Sequence, residues 1–148
     1  MKYAPHEYQK YAINYIKAHP FSAVLLDMGL GKTSITLTAI GDLLFDSFEV
    51  HRVLVIAPLR VARDTWSAEL QKWDHLHSLN YSVVVGSEAE RKAALMRKAD
   101  IYIINRENIQ WLIEKSGMPF HFDMVVIDEL SSFKNHQSKR FKLSLIHI

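Results

Sequence analysis

The stretch Asp27-Met28-Gly29-Leu30-Gly31-Lys32-Thr33 has residue types that can hold a polyphosphate. Gly29 and Gly31 let the backbone turn tightly and approach the phosphate oxygens. Backbone N–H groups from Met28 through Leu30 to Ser34 can then line a cradle that opens onto a helix N-terminus. Lys32 can reach the β- and γ-phosphates, and the Thr33 hydroxyl can bind Mg²⁺. One position departs from the general pattern: Leu26 stands where a further glycine is usual. A loop that merely joins a strand to a helix is the plain alternative, and Gly-x-Gly-Lys-Thr alone leaves it open.

A second constellation is Met124-Val125-Val126-Ile127-Asp128-Glu129. An apolar strand ending in Asp-Glu can place Asp128 on Mg²⁺, directly or through water, and let Glu129 polarise an attacking water. Adjacent carboxylates at a strand end also serve as turn or helix caps. Their occurrence after Gly-Lys-Thr in the same chain favours the hydrolytic reading.

Both motifs need a strand before them, and the first needs a helix after it. Apolar spacing predicts helices over 6–18, 32–45, 60–73, 88–98 and 107–115. Pro20 closes the first of these, and Gly117 with Pro119 breaks the last. Strands are predicted at 22–26, 52–57, 81–85, 100–104 and 123–128. In the first helix Tyr8, Tyr11, Ala12, Tyr15 and Ile16 share helical spacing. In the third, Val61, Trp66, Leu70 and Trp73 are placed to pack inward. Strands alternating with helices imply crossover connections and a mostly parallel sheet covered on both faces, an α/β fold in three layers. In such sheets ligands bind beyond the C-terminal ends of the strands, where the motifs fall. No repeat or linker divides the chain.

The bulk figures narrow the classes. The 148 residues suffice for one domain, and 49% hydrophobic with 23% charged residues is ordinary for a globular chain. Cysteine is absent, which removes disulfides, thiolate metal sites and a cysteine nucleophile. No apolar run is long enough to span a bilayer, and the first residues form no signal peptide. A net charge of +2 does not by itself demand nucleic acid. After Glu129 come Lys134, Lys139, Arg140 and Lys142 with no acidic residue among them, a run that can meet phosphates or form a solvated face. His75 and His77 lack the partners of a zinc site, since Asp74 is the nearby carboxylate. Trp66, Trp73 and Trp111 read as core residues rather than base-stacking platforms.

Asp-Met-Gly-Leu-Gly-Lys-Thr followed by Ile-Asp-Glu-x-x-x-x-Lys-Asn resembles the first motor domain of superfamily 2 helicases. The nearest branch is the Snf-type ATPases, the chromatin remodellers with their phage and bacterial relatives. The resemblance runs from Pro5 to about Lys142. It implies a RecA-like P-loop fold, ATP and Mg²⁺ as ligands, and nucleic acid, duplex DNA in particular, as partner. Pro5-His6-Glu7-Tyr8-Gln9 resembles the family's opening motif, with Gln9 where the adenine edge is read. Ala57-Pro58-Leu59-Arg60 and Ile104-Asn105-Arg106-Glu107 resemble segments that contact a nucleic-acid strand. Arg60 can equally be solvated, and Asn105 can equally cap a helix. Lys134-Asn135 matches the basic pair after the acidic motif. Leu130-Ser131 departs from the family's usual Ala-His.

The resemblance implies that Lys32, Asp128 and Glu129 are catalytic. Gln9 and residues Met28 to Ser34 would bind nucleotide, Thr33 and Asp128 the metal, and Arg60, Asn105 and Lys134 nucleic acid. It also implies a cytoplasmic setting, in a bacterial host or a phage-infected cell. Residues 1–148 are expected to be one ATP-binding domain, truncated at its C-terminal end, without the second motor domain and its arginine finger. Slow turnover by the isolated chain is the corresponding expectation. Two other classes remain open: a non-catalytic binding module, self-associating through an unfinished sheet edge, and a P-loop kinase or transferase. The acidic pair and the Gln-bearing first helix argue against the latter.

Overall fold

Runs such as Val53-Leu54-Val55-Ile56-Ala57 show no polar alternation, so a strand made from them must be covered on both faces. The computed structural model describes residues 1–18, 32–46 and 50–128, without the side chains of Tyr15, Ile16, Ala18 and Lys32. The predicted strand at 22–26, the loop residues Met28 to Gly31, Glu129, Lys134 and the basic run lie outside the described residues.

Within them the order is α1 (Glu7–Ala18), α2 (Lys32–Gly41), a π-helical turn (Asp42–Asp46), β1 (Val53–Ala57), a second π-helical turn (Val61–Thr65), α3 (Trp66–Lys72), β2 (Tyr81–Val84), α4 (Glu88–Met96), β3 (Ile101–Asn105), α5 (Ile109–Glu114) and β4 (Met124–Ile127). Short 3₁₀ turns follow α3 and β3, at Asp74–Leu76 and Arg106–Asn108. The strands form one all-parallel sheet in the order β2-β3-β1-β4. Val53 is in register with Ile101 on one side and Met124 on the other. β1 and β3 are central and wholly buried. β2, at the edge, buries alternate residues.

Strand alternation sorts the core into two layers. Val53, Val55, Ala57, Ile101 and Ile103 face Leu37 and Ile40 of α2 and Trp66 and Leu70 of α3. Leu54, Ile56, Tyr102 and Ile104 face Ala94 and Leu95 of α4 and Ile109 and Leu112 of α5. Helices therefore cover both faces, as the alternating pattern requires. α1 lies outside α2, through Ala12 and Ile13 against Ile35 and Ala39.

The predicted inward residues of α1 need one correction. Tyr8 and Tyr11 are exposed, whereas Gln9, Ala12 and Ile13 are buried. The i, i+3, i+4 stripe runs through Gln9, so the two tyrosines fall on the outer side.

The N-terminal edge of the sheet is closed by carboxylates. Asp123 accepts from the backbone N–H groups of His51 (2.7 Å) and Arg52 (3.2 Å), and Asp100 accepts from that of Asn80 (3.1 Å). Both aspartates were expected as first strand residues. They instead precede their strands and satisfy N–H groups of the incoming loops. The C-terminal edge, where β1 stops at Pro58, carries Asn105 at the end of β3 and Asp128 just after β4.

Candidate functional site

α1 and α2 run side by side in the same direction. At one end the Ser34 hydroxyl meets the Tyr3 hydroxyl (3.3 Å), and at the other Lys17 pairs with Asp42 (3.0 Å). The turn after α2 is tied to the segment entering β1, where the Val50 N–H donates to Leu43 O (3.4 Å), so α2 runs against the strands. Its N-terminus, with Lys32, Thr33 and Ser34, therefore faces the C-terminal edge of the sheet. The first turn of any helix leaves N–H groups without an intrahelical partner, and the helix dipole adds positive potential there. An anion is favoured at this end of α2 by geometry alone.

Gln9 sits in the first turn of α1, at the same end, and is 7% exposed. Its Oε1 accepts from the His6 N–H at 2.9 Å. This is half of a capping box, the third helical residue reaching back to the residue before the helix. The contact fixes the orientation of the amide. Ser34 is buried. Its hydroxyl is directed at Tyr3, and its carbonyl accepts from Thr38 (2.7 Å). The Ser34 hydroxyl thus ties the N-terminal segment to the first turn of α2.

Asp128 follows the last residue of β4. Its N–H donates to Ile56 O at 2.7 Å, which extends the ladder by one residue. Met124 and Val126 pack on the α2 and α3 side, and alternation carries Asp128 to that side too. There the Trp66 indole N–H donates to Asp128 Oδ2 at 3.1 Å. Asp128 remains half-buried. Thr33 is half-buried at the start of α2. The structure thus puts Gln9, the α2 N-terminus and Asp128 at one edge, while Glu129 and the glycine loop lie outside the described residues.

Of the residues expected to meet nucleic acid, Arg60 is exposed where the chain leaves β1 and turns into the helix. Asn105 ends β3 opposite Ala57 and is 6% exposed. Its amide nitrogen donates to Glu107 (3.0 Å), and its oxygen accepts from Asn108 (2.7 Å). It precedes the 3₁₀ turn without a side-chain cap, and its bonds to Glu107 and Asn108 hold the loop through side chains. His75 and His77 face different partners: His75 stacks on Tyr3 and meets Thr38 (2.8 Å), whereas His77 meets Gln71 O (2.8 Å). Trp111 is half-buried against the α4 and α5 layer, under the Arg91 guanidinium at 4.4 Å.

Sequence reasoning placed Trp66 in the core, where it is, and missed its polar end. A buried tryptophan needs an acceptor for its N–H. That rule signals that some partner exists, but it does not say which.

The sequence profile of the SNF2-related domain matches residues 8–148. The chain belongs to this family. Among its relatives, a protein designated p41 from Acyrthosiphon pisum secondary endosymbiont phage 1 is 35% identical over 139 residues, covering 93% of this chain and 30% of p41. The ISWI chromatin-remodeling complex ATPase ISW1 of Saccharomyces cerevisiae is 28% identical over 141 residues, covering 88% of this chain and 12% of its own length. The Sulfolobus solfataricus SWI2/SNF2 ATPase core, solved in complex with dsDNA, superposes with a TM-score of 0.77 at 26% identity, over 96% of this chain and 29% of that one. This SNF2-related chain therefore spans less than a third of each of these relatives. The likeness agrees with the all-parallel sheet and with helices on both faces. No helix among the described residues is long and apolar enough to cross a membrane.

Proposed function

We propose that this SNF2-related domain is the ATP-binding half of a DNA-dependent ATPase of the translocase type. The observation that carries the reading is the convergence of Gln9, the N-terminus of α2 and Asp128 on the C-terminal edge of a sheet of this family. Lys32, the first residue of α2, would stabilise charge developing on the γ-phosphate. Gln9 would read the adenine edge, since an amide donates and accepts at once. Glu129 would orient the attacking water. Met28 to Gly31 would supply cradle N–H groups.

The donors present suit Mg²⁺. Asp128 offers a half-buried carboxylate and Thr33 a hydroxyl, both hard oxygen ligands, and the chain has no thiolate to favour a softer metal. Bound Mg²⁺ would neutralise charge on the β- and γ-phosphate oxygens. The work of the chain itself is to hold these oxygens in place and keep the water aligned.

Two relatives support the DNA side of the reading. The Sulfolobus core is described in complex with dsDNA, and ISW1 is an ATPase of a chromatin-remodeling complex. Exposed Arg60, at a helix start beside the site, is the described residue best placed to meet a phosphate; Asn105 and Lys134 are further proposed contacts. The reading is tested by titrating a fluorescent ATP analogue against wild type and Lys32→Ala, in Mg²⁺, with and without duplex DNA. Equal affinity of the two proteins for the analogue rejects it.

A further inference from the structure

Trp66 leaves the second π-helical turn as the first residue of α3. Its N–H bonds Val61 O, five residues back. A π turn inserts one extra residue into the helical register and so rotates every later side chain about the axis, and such turns recur at functional sites. Side chains in a helix lean toward its N-terminus. α3 runs down from the C-terminal edge of the sheet, so the Trp66 indole leans back up toward that edge. Trp66 is 2% exposed, its ring wedged in the layer between α2, α3 and the sheet. The result is a rigid donor whose N–H ends 3.1 Å from Asp128 Oδ2.

We propose that Trp66 is a positioning residue for the Asp128 carboxylate, holding it in one rotamer through the indole N–H. The inference rests on the Mg²⁺·ATP reading of Asp128 given above. A carboxylate at a strand end can rotate about two side-chain bonds. A donor fixed by the core restricts that rotation and favours one orientation of the carboxylate. Partners of this kind, one shell out from a metal, commonly alter metal affinity 10- to 100-fold when removed. A tryptophan serving only to fill the core would not do so, because phenylalanine fills much of the same space without an N–H.

The test uses Trp66→Phe, with Trp111→Phe as a control on the opposite layer. Nucleotide binding is measured by fluorescence as a function of Mg²⁺ concentration. Trp66→Phe should raise the Mg²⁺ midpoint by roughly 10-fold while affinity in EDTA stays near wild type, and Trp111→Phe should leave the midpoint in place. Indole ¹⁵N–¹H spectra supply a second readout. The resonance that disappears in Trp66→Phe should shift upfield in Asp128→Ala, and should also move when Mg²⁺ and nucleotide are added to wild type. An unchanged midpoint in folded Trp66→Phe, or a Trp66 resonance indifferent to Asp128→Ala, overturns the proposal. If Trp66→Phe does not fold, the resonance is assigned in wild type by through-space contacts and the second readout decides alone. Failure of Lys32→Ala to weaken nucleotide binding would instead reject the ATP reading itself, so the two failures are distinct.

Discussion

Gln9 combines a structural bond with a proposed recognition role, and two substitutions separate them. In Gln9→Ala the His6 N–H loses the acceptor 2.9 Å away. A neutral hydrogen bond nets about 0.5–1.5 kcal/mol, and the lost cap together with the truncated, 7% exposed side chain brings the cost to about 1–2 kcal/mol. For a domain of this size that corresponds to a fall in Tm of ~2–8 °C. Gln9→Glu keeps an acceptor for His6 and places a negative charge at a helix N-terminus, worth about 0.3–1 kcal/mol. That gain falls short of the several kcal/mol that burying an ionised carboxylate costs, so its Tm should fall at least as far as that of Gln9→Ala although the acceptor for His6 is kept. The ligand side behaves differently. Two hydrogen bonds to adenine at about 0.5–1.5 kcal/mol each correspond to roughly 5- to 150-fold in affinity. Both variants should lose the preference for ATP over GTP, because neither retains the amide donor. Urea or thermal melts give the first quantity, and competition of ATP and GTP against a fluorescent nucleotide gives the second. A Gln9→Ala protein that melts low yet keeps wild-type affinity and base preference refutes the recognition role and leaves Gln9 as a cap.

Further outcomes follow from other residues. Arg60→Ala should weaken duplex DNA binding without altering sequence preference, and should reduce the log–log salt slope by about 0.9, the contribution of one phosphate contact; filter binding across a salt series measures it. Partial burial beneath the Tyr3 ring pushes the His75 pKa below its ordinary value, against the opposing pull of Asp42 and Asp74. The unfolded state then binds more protons than the folded one just below the ordinary histidine value of about 6.5. Stability should therefore be full above that pH, decline as pH falls through it, and level off below the folded value; His75→Gln should flatten this step in urea melts at graded pH. Ser87 caps α4 by accepting from the Glu90 N–H (3.2 Å), so Ser87→Ala should cost about 1 kcal/mol with nucleotide affinity unchanged, as denaturation and titration together would show. Gly86 has φ +98°, and an added Cβ would fall 2.6 Å from Glu90 Oε2, so Gly86→Ala should destabilise by about 1–2 kcal/mol, measured the same way.

The four described strands were legible because each is a short apolar run, with Pro58 after β1, Gly86 just beyond β2 and Asp128 after β4, and such runs have few alternative structures. Their order was not legible. β1 pairs with β3 and β4, not with β2, and nothing in the local pattern of Val53–Ala57 selects those neighbours. The π-helical turns were equally hidden. Arg60 to Trp73 reads as one helix, and the extra residue in its register at Val61–Thr65 answers to how Ala62 and Trp66 pack on the sheet. In α1 the stripe was misplaced by one position because polar Gln9 is buried while Tyr8 and Tyr11 are not. A hydropathy pattern cannot register a glutamine buried by its own capping bond.

By itself the sequence determined which groups are available and where along the chain they stand: Gly29, Gly31, Lys32 and Thr33 between strand and helix patterns, Asp128-Glu129 at the end of another strand pattern, and Gln9 in the first helix. Those are local facts, set by spacing and residue type. Tertiary structure decided which of them meet. The parallel α1 and α2 bring Gln9 to the N-terminus of α2, strand alternation turns Asp128 toward α3, and a π turn aims an indole at it across 62 positions of chain. Contacts of that range depend on the packing of whole layers against one another, and no window of sequence contains both partners.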